Sequence, residues 1–171
     1  MKKISVLIIF VVIATGLAVS QKYAFVDSEY ILSHIPAYKA AQDQLDNISS
    51  EWQKEIEQKY QEIDQLYKGY QTDKVLLSEE MKRKKEDEII AKEKSVKDLQ
   101  KKYFGPEGEL YKKRQELVKP IQDEIYNAVK ELSAEGSYAV IFDTAEGLSI
   151  LYFNPKYDIS DEVLQKLGYK N

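Results

Sequence analysis

The sequence predicts an α+β protein, with a long antiparallel α-helical hairpin on a small β-rich oligomerisation body. Residues 36–135 are rich in charged, helix-forming side chains, and their apolar positions recur every three or four residues. Short apolar runs typical of β-strands lie on both sides of this block. We therefore assign residues 36–135 to a hairpin arm and residues 21–35 and 136–171 to a body, after a signal peptide at residues 1–20.

The N-terminal segment has the form of an export signal. Lys2 and Lys3 provide a positive start, residues 4–19 are almost wholly apolar, and small residues precede the expected cleavage site between Ser20 and Gln21. The alternative is a retained membrane anchor. We favour cleavage, because the apolar run is shorter than the roughly 20 residues that a spanning helix needs.

The composition limits the classes of partner. Without the two lysines of the signal segment, the chain holds 23 Lys and Arg against 29 Asp and Glu, a net charge of −6. An acidic balance argues against a nucleic-acid partner, which a basic face normally binds. No cysteine is present, so no disulfide stabilises the fold.

The first elements are a strand and a short helix. Residues 23–26 form an apolar run, and Asp27 and Ser28 follow as good helix N-caps. Ile35 precedes a proline and is pushed out of the helical region, so Pro36 should begin a new, longer helix.

The long helix from Pro36 to the low seventies carries one narrow apolar stripe. Such a stripe is too thin to form a globular core, so it must pair with a second helix or with other subunits. Its members are Tyr38, Ala41, Leu45, Ile48, Trp52, Ile56, Tyr60, Ile63, Tyr67 and Tyr70.

The pattern is interrupted at residues 71–78, which we interpret as the tip of an antiparallel hairpin. Ser78 is the expected N-cap of the return helix. This helix resumes after Gly105-Pro106, should bend at Pro120, and should end with Gly136 as its C′ residue. One face of its first part carries Met81, Ile89, Val96, Leu99 and Tyr103.

The C-terminal region predicts a β-hairpin and a short helix. Residues 138–142 and 148–152 alternate large side chains across a turn. Residues 158–160 cap an amphipathic helix that Gly168 ends.

Three short strands would leave open sheet edges, which pairing with other copies would close. The alternative is a monomer whose helices fold back over the sheet. The side chains expected at the oligomerisation interface are Phe25, Val26, Val140, Phe142, Ile150 and Tyr152.

No pattern indicates chemistry. The chain has one histidine, His34, and no glycine-rich phosphate loop. Acidic runs such as Glu79-Glu80 and residues 86–88 are typical of a solvated helix face. The sequence therefore predicts no catalytic residue, no metal site, no cofactor and no enzymatic activity.

Large side chains on the arm are the candidate binding residues. Each is either a knob in the hairpin seam or a contact for an unfolded chain, which a ring with one polar end can touch while staying wettable. The candidates for client binding are Tyr60, Tyr67, Tyr70, Met81 and Tyr103.

The two ends of the chain resemble the Skp/OmpH family of periplasmic chaperones. The arm matches only in helical periodicity. The residues that carry the resemblance are Tyr23-Ala-Phe-Val-Asp27, Ala40-Ala41, Leu45, Pro120-Ile121, Ile125, Val129, Tyr138-Ala-Val-Ile-Phe-Asp143, Leu151-Tyr152, Asp158-Ile-Ser-Asp-Glu-Val163 and Leu167.

The resemblance implies a periplasmic homotrimer with a β-barrel body and helical arms around a cavity. Unfolded outer-membrane proteins are held there without ATP, with transient contact to the membrane surface. One feature differs from the family, whose members are typically basic: here residues 51–102 contain 13 basic and 13 acidic residues, and the mature chain is acidic.

The function that the resemblance implies is that of a holdase, a chaperone that binds unfolded proteins. The alternative is a periplasmic coiled-coil scaffold or adaptor that docks on a specific folded envelope partner.

Overall fold

The structure is a computed structural model that describes residues 21–145 and 150–169. Long helices dominate these residues, and two strands form a sheet among them, so the predicted fold class is confirmed. In chain order the elements are β1 (Lys22–Val26), α1 (Ser28–Ser33), α2 (Pro36–Asp73), α3 (Glu79–Phe104), α4 (Glu109–Gly136), β2 (Tyr138–Asp143), a 3₁₀ helix (Pro155–Tyr157) and α5 (Ser160–Lys166).

The chain divides into two compact units, which are the body and the arm as the structure defines them. Among the described residues, the body comprises residues 21–34, 125–145 and 150–169, and the arm is residues 35–124. The second limit of this division lies inside α4. Lys166 holds the last turns of α4 against α5, because it pairs with Glu131 at 3.1 Å and with Glu135 at 2.7 Å.

The sheet of the body differs from the predicted hairpin. β2 pairs with β1 in parallel, with Phe25 beside Phe142 and Val26 beside Asp143. The second strand of the hairpin was expected at residues 148–152; residues 146–149 lie outside the described part, and residues 150–152 are not in a strand.

Asp143 accounts for the turn of the chain after β2. Its Oδ1 accepts hydrogen bonds from the backbone N–H of Ala145 at 3.0 Å and of Ser28 at 3.1 Å. The backbone N–H of Thr144 donates to the carbonyl of Val26, 2.8 Å away. These bonds hold the end of β2 against β1.

A short hydrogen-bond chain joins the start of α1 to the start of α5. Asp27 caps α1 by accepting from the N–H of Tyr30 at 2.9 Å, as predicted. The N–H of Asp27 donates to the Oγ of Ser160 at 2.9 Å, and that hydroxyl donates to Asp158 at 2.6 Å. Asp158 also accepts from the N–H of Ser160, so it stabilises the first turn of α5.

The body core lies between these two short helices. Ile31 of α1 and Val163 and Leu164 of α5 are almost wholly buried. Gly168, with φ of +87°, ends the last helix as predicted.

The end of α4 corrects one prediction. Gly136 is the last helical residue, and the left-handed conformation falls on Ser137, with φ of 53°. Glycine is needed at 136 for a different reason: a Cβ there would overlap the ring of Tyr138.

The arm begins where the sequence predicts. Ile35 is extended, Pro36 is the first helical residue, and α2 continues for 38 residues, about 57 Å. After the tip, Ser78 caps α3 by accepting from the N–H of Met81 at 3.3 Å. Within the described residues, no helix is long and apolar enough to cross a membrane.

The seam between α2 and α3 is a narrow apolar line. Five of its side chains are buried, and five partly buried ones pack against them. The buried residues are Ile56, Ile63, Tyr70, Ile89 and Val96, and the partly buried ones are Leu66, Leu77, Leu99, Tyr103 and Phe104.

Candidate functional site

Two tyrosine–carboxylate hydrogen bonds join α2 to α3, one at each end of the apolar seam of the arm. The hydroxyl of Tyr70, near the tip, donates to Glu86, and the hydroxyl of Tyr103 donates to Glu55 at 2.9 Å. The bond to Glu86 raises the pKa of Tyr70 to about 12, and the bond to Glu55 raises the pKa of Tyr103. Because each pair joins α2 to α3, these bonds fix the antiparallel register of the hairpin.

An aromatic cluster lies at the end of the seam farther from the tip. The rings of Trp52 and Tyr103 stack with centroids 4.4 Å apart and planes 6° apart. Phe104 meets the edge of Trp52 at 6.2 Å. Trp52 is the single tryptophan of the chain, so its fluorescence reports on this cluster alone.

A shallow groove of about 400 Å³ lies beside this cluster. Its apolar lining comes from Ile56, Tyr60 and Phe104, and its polar lining from Gln53, Glu57 and Gln100. Such a groove can take an apolar side chain while the amides bond to a peptide main chain.

The candidate client-binding residues fall into two groups. Tyr70 is only 3% exposed and Tyr103 is half-buried against Trp52, so both are seam residues, the alternative left open by the sequence. Tyr60, Tyr67 and Met81 are exposed and stay candidates for contact with a partner.

Several further apolar side chains of the arm, which the sequence did not single out, are exposed or half-exposed. Val75 and Leu76 lie in the tip and are almost fully exposed, Ile90 is exposed on α3, and Phe104 lines the groove. The sequence contains a signal for the exposure of Ile90. It lies next to Ile89, and adjacent residues cannot share one face of a helix, so only one of the two can face the seam.

The candidate oligomerisation residues all lie in the body. The ring of Phe25 stacks on Phe142, with centroids 5.6 Å apart, and Val26 is buried. Val140 and Tyr152 are exposed, and Ile150 is half-buried outside any strand. A single chain thus leaves large apolar side chains of its body in contact with solvent.

The described residues also bear on metal chemistry. Within residues 21–145 and 150–169, no group of three or more His, Cys, Asp or Glu side chains is placed to hold a metal ion.

Comparison with known proteins supplies the family. The family model described as "Outer membrane protein (OmpH-like)" matches residues 22–167, nearly all of the described chain. The chain belongs to the OmpH-like family. The family relation supports a chaperone-like role without enzymatic activity.

Two further proteins are similar to this OmpH-like chain. An uncharacterised protein of Aquifex aeolicus (strain VF5) is 29% identical over 152 residues, which cover 89% of each chain. A crystal structure from Caulobacter crescentus CB15, described as a candidate outer membrane chaperone (OmpH-like), aligns with a TM-score of 0.68 at 16% identity. The alignment covers 86% of this chain and 83% of the other, and it supports the fold.

Proposed function

We propose that this OmpH-like protein is an ATP-independent periplasmic holdase that binds unfolded outer-membrane proteins between helical arms and prevents their aggregation. The observation that carries the proposal is the surface of the arm. Large apolar side chains such as Tyr60, Tyr67 and Ile90 remain exposed on a helical hairpin whose seam is already filled by other residues. Exposed rings among charges suit many weak contacts with a non-native chain.

The body supports the assembly part of the proposal. Exposed Val140 and Tyr152, beside a sheet that has only two strands within the described residues, favour pairing between copies. We propose a homotrimer, so that three arms surround one cavity and engage one client at several points. The interface residues proposed are Phe25, Val26, Val140, Phe142, Ile150 and Tyr152.

The location follows from the same proposal. An export signal at residues 1–20, cleaved between Ser20 and Gln21, would deliver the chain to the periplasm, where outer-membrane proteins pass in unfolded form. This compartment supplies no ATP, which agrees with a binding function that needs no nucleotide.

The test is an aggregation assay with the mature chain from residue 21. A β-barrel outer-membrane protein unfolded in urea is diluted into buffer without nucleotide, and turbidity is followed with increasing amounts of chaperone. We expect turbidity to be suppressed near equimolar assembled protein. A folded coiled-coil protein of similar length serves as the control, and equal turbidity with both proteins would refute the proposal.

The tip of the arm supports a second candidate function, a scaffold or adaptor. Val75 and Leu76 are 90% and 88% exposed, and a folded envelope partner with a matching pocket could bind them. Affinity capture from envelope extracts separates the two functions. A scaffold recovers one folded partner in fixed stoichiometry, whereas a holdase recovers many unfolded outer-membrane proteins.

A further inference from the structure

The residue that follows the proposed signal cleavage site is a glutamine. A cut between Ser20 and Gln21 turns the backbone nitrogen of Gln21 into a free α-amine. This amine can attack the carboxamide of its own side chain, because the attack closes an unstrained five-membered ring. A cut one residue earlier or later would leave serine or lysine at the terminus, so the chemistry depends on the position of the cut.

The structure leaves the end of the mature chain accessible for this reaction. Gln21 is exposed and lies just before β1. The pairing of β1 with β2 begins with Lys22 beside Tyr138. Ring closure at residue 21 therefore takes place outside the sheet and disturbs no paired residue.

An α-amine is well suited to this attack. It is less basic than the amine of a lysine side chain, so a larger share of it is neutral and nucleophilic near neutral pH. The amine and the carboxamide belong to one residue, so the reaction needs no encounter between molecules. Ammonia leaves and diffuses away, which prevents the reverse reaction.

We propose that the mature chain carries a pyroglutamate, the cyclic lactam of glutamine, at residue 21. The proposal rests on the export and cleavage proposed above. The α-nitrogen of Gln21 forms a bond to Cδ, and the bond between Cδ and Nε2 breaks. Nε2 leaves as ammonia and takes one proton from the α-amine, so the step needs no oxidant, reductant or co-reactant.

The position of β1 gives this modification a consequence for the fold. β1 begins directly after Gln21, so an aminopeptidase that removed a few residues would destroy the strand. Ala24 of this strand is wholly buried, and the carbonyl of Phe25 accepts a hydrogen bond from the N–H of Ile159 at 2.9 Å. A lactam has no free α-amine for an aminopeptidase to bind. The ring therefore protects a strand on which the body depends.

Mass spectrometry of the exported protein tests the modification. The full chain, residues 1–171, is expressed with its own signal segment in a bacterium with an outer membrane and is recovered from the periplasm. We expect the mass of residues 21–171 less one ammonia. The control Gln21→Ala keeps the small residues before the cut and cannot form the ring, so its mature chain should show the full mass.

The outcomes separate the ring from the proposals on which it rests. A wild-type chain that begins at residue 21 and retains the ammonia refutes the ring, while export and cleavage stand. A chain that begins at another residue, or that keeps the signal segment, refutes the cleavage site and the ring together. The holdase function is tested separately by the aggregation assay.

Incubation of both exported proteins with a purified aminopeptidase tests the protective role. Gln21 is exposed, so Gln21→Ala should fold like wild type, which circular dichroism checks. We expect wild type to keep its mass and the variant to lose residues from its N-terminus. Equal resistance would show that the pairing of β1 alone protects the terminus. Equal trimming would show that the ring gives no protection, and either result overturns this role.

Discussion

At the scale of single residues, Ser160 has the most consequential polar side chain of the body. It is 4% exposed, and its hydroxyl both accepts from the N–H of Asp27 and donates to Asp158. This hydroxyl satisfies two part-buried polar groups, of residues that lie far apart in the sequence. It thereby links the start of α1 to the start of α5.

Replacing Ser160 with Ala should therefore destabilise the body. The N–H of Asp27 would lose its partner, and an unsatisfied buried donor costs about 1–3 kcal/mol. Urea unfolding of the variant measures the loss of free energy. The control is Ser33→Ala, where the hydroxyl is exposed, and an equal effect of both substitutions would contradict this role of Ser160.

Tyr70 gives the arm a dependence on alkaline pH. Its pKa is raised from 10.0 to about 12 in the folded state, chiefly by its bond to Glu86. A raised pKa means that the folded state favours the protonated tyrosine. The stabilisation is then complete below pH 10 and is lost as the pH rises towards 12.

We therefore expect wild type to lose more stability between pH 10 and 12 than Tyr70→Phe does, because phenylalanine does not ionise. Thermal melts followed by circular dichroism at several pH values in this window measure the difference. Tyr111→Phe should follow wild type, since Tyr111 is exposed on α4. Parallel losses in wild type and Tyr70→Phe would contradict the contribution of the Tyr70–Glu86 bond.

At the scale of the elements, two adjacent isoleucines distinguish the seam of the arm from its surface. Ile89 is 8% exposed and belongs to the seam, whereas Ile90 is 61% exposed. Ile89→Ala should lower the free energy of unfolding by about 2–5 kcal/mol, the usual cost of removing a buried Ile side chain. Chemical denaturation followed by circular dichroism provides the measurement.

Ile90→Ala is the matched control, since it removes the same atoms one position further along the same helix. Its effect on stability should be close to zero, because Ala is a better helix former and no packing is lost. Equal destabilisation by the two substitutions would contradict the placement of Ile89 in the seam between α2 and α3.

The elements that local rules govern could be predicted from the sequence. Pro36 and Ser78 begin helices as expected, because a proline at the first position and a serine cap act on neighbouring backbone groups. The long apolar stripe likewise predicted a helix that pairs with a second one. Within the stripe, Leu66 rather than Tyr67 packs in the seam, since seven-residue spacing from Ile56 through Ile63 to Tyr70 sets the buried line.

Elements that depend on distant partners could not be predicted in this way. β2 pairs with β1, far away in sequence, and no local pattern distinguishes this pairing from a hairpin. The need for glycine at 136 comes from the ring of Tyr138 rather than from a left-handed backbone. The candidate site shows the same limit, because the groove of the arm joins residues of α2 and α3 that only the register of the hairpin brings together.

At the scale of the whole molecule, the proposed function requires association between copies. The body of one chain has a two-stranded sheet within the described residues, and Val140, Leu151 and Tyr152 stand exposed around it. Apolar side chains in such numbers on a small unit favour an interface with other copies. Several arms around one assembled body are then available to a single unfolded client, which raises the effective concentration of contacts.

The measurement that tests this account most directly is the mass of the mature chain in solution, by sedimentation equilibrium, alone and with one unfolded outer-membrane protein. The account predicts a homotrimer that does not dissociate at working concentration and that takes up the client as a single complex. A folded monomer, with or without the client bound, would contradict it.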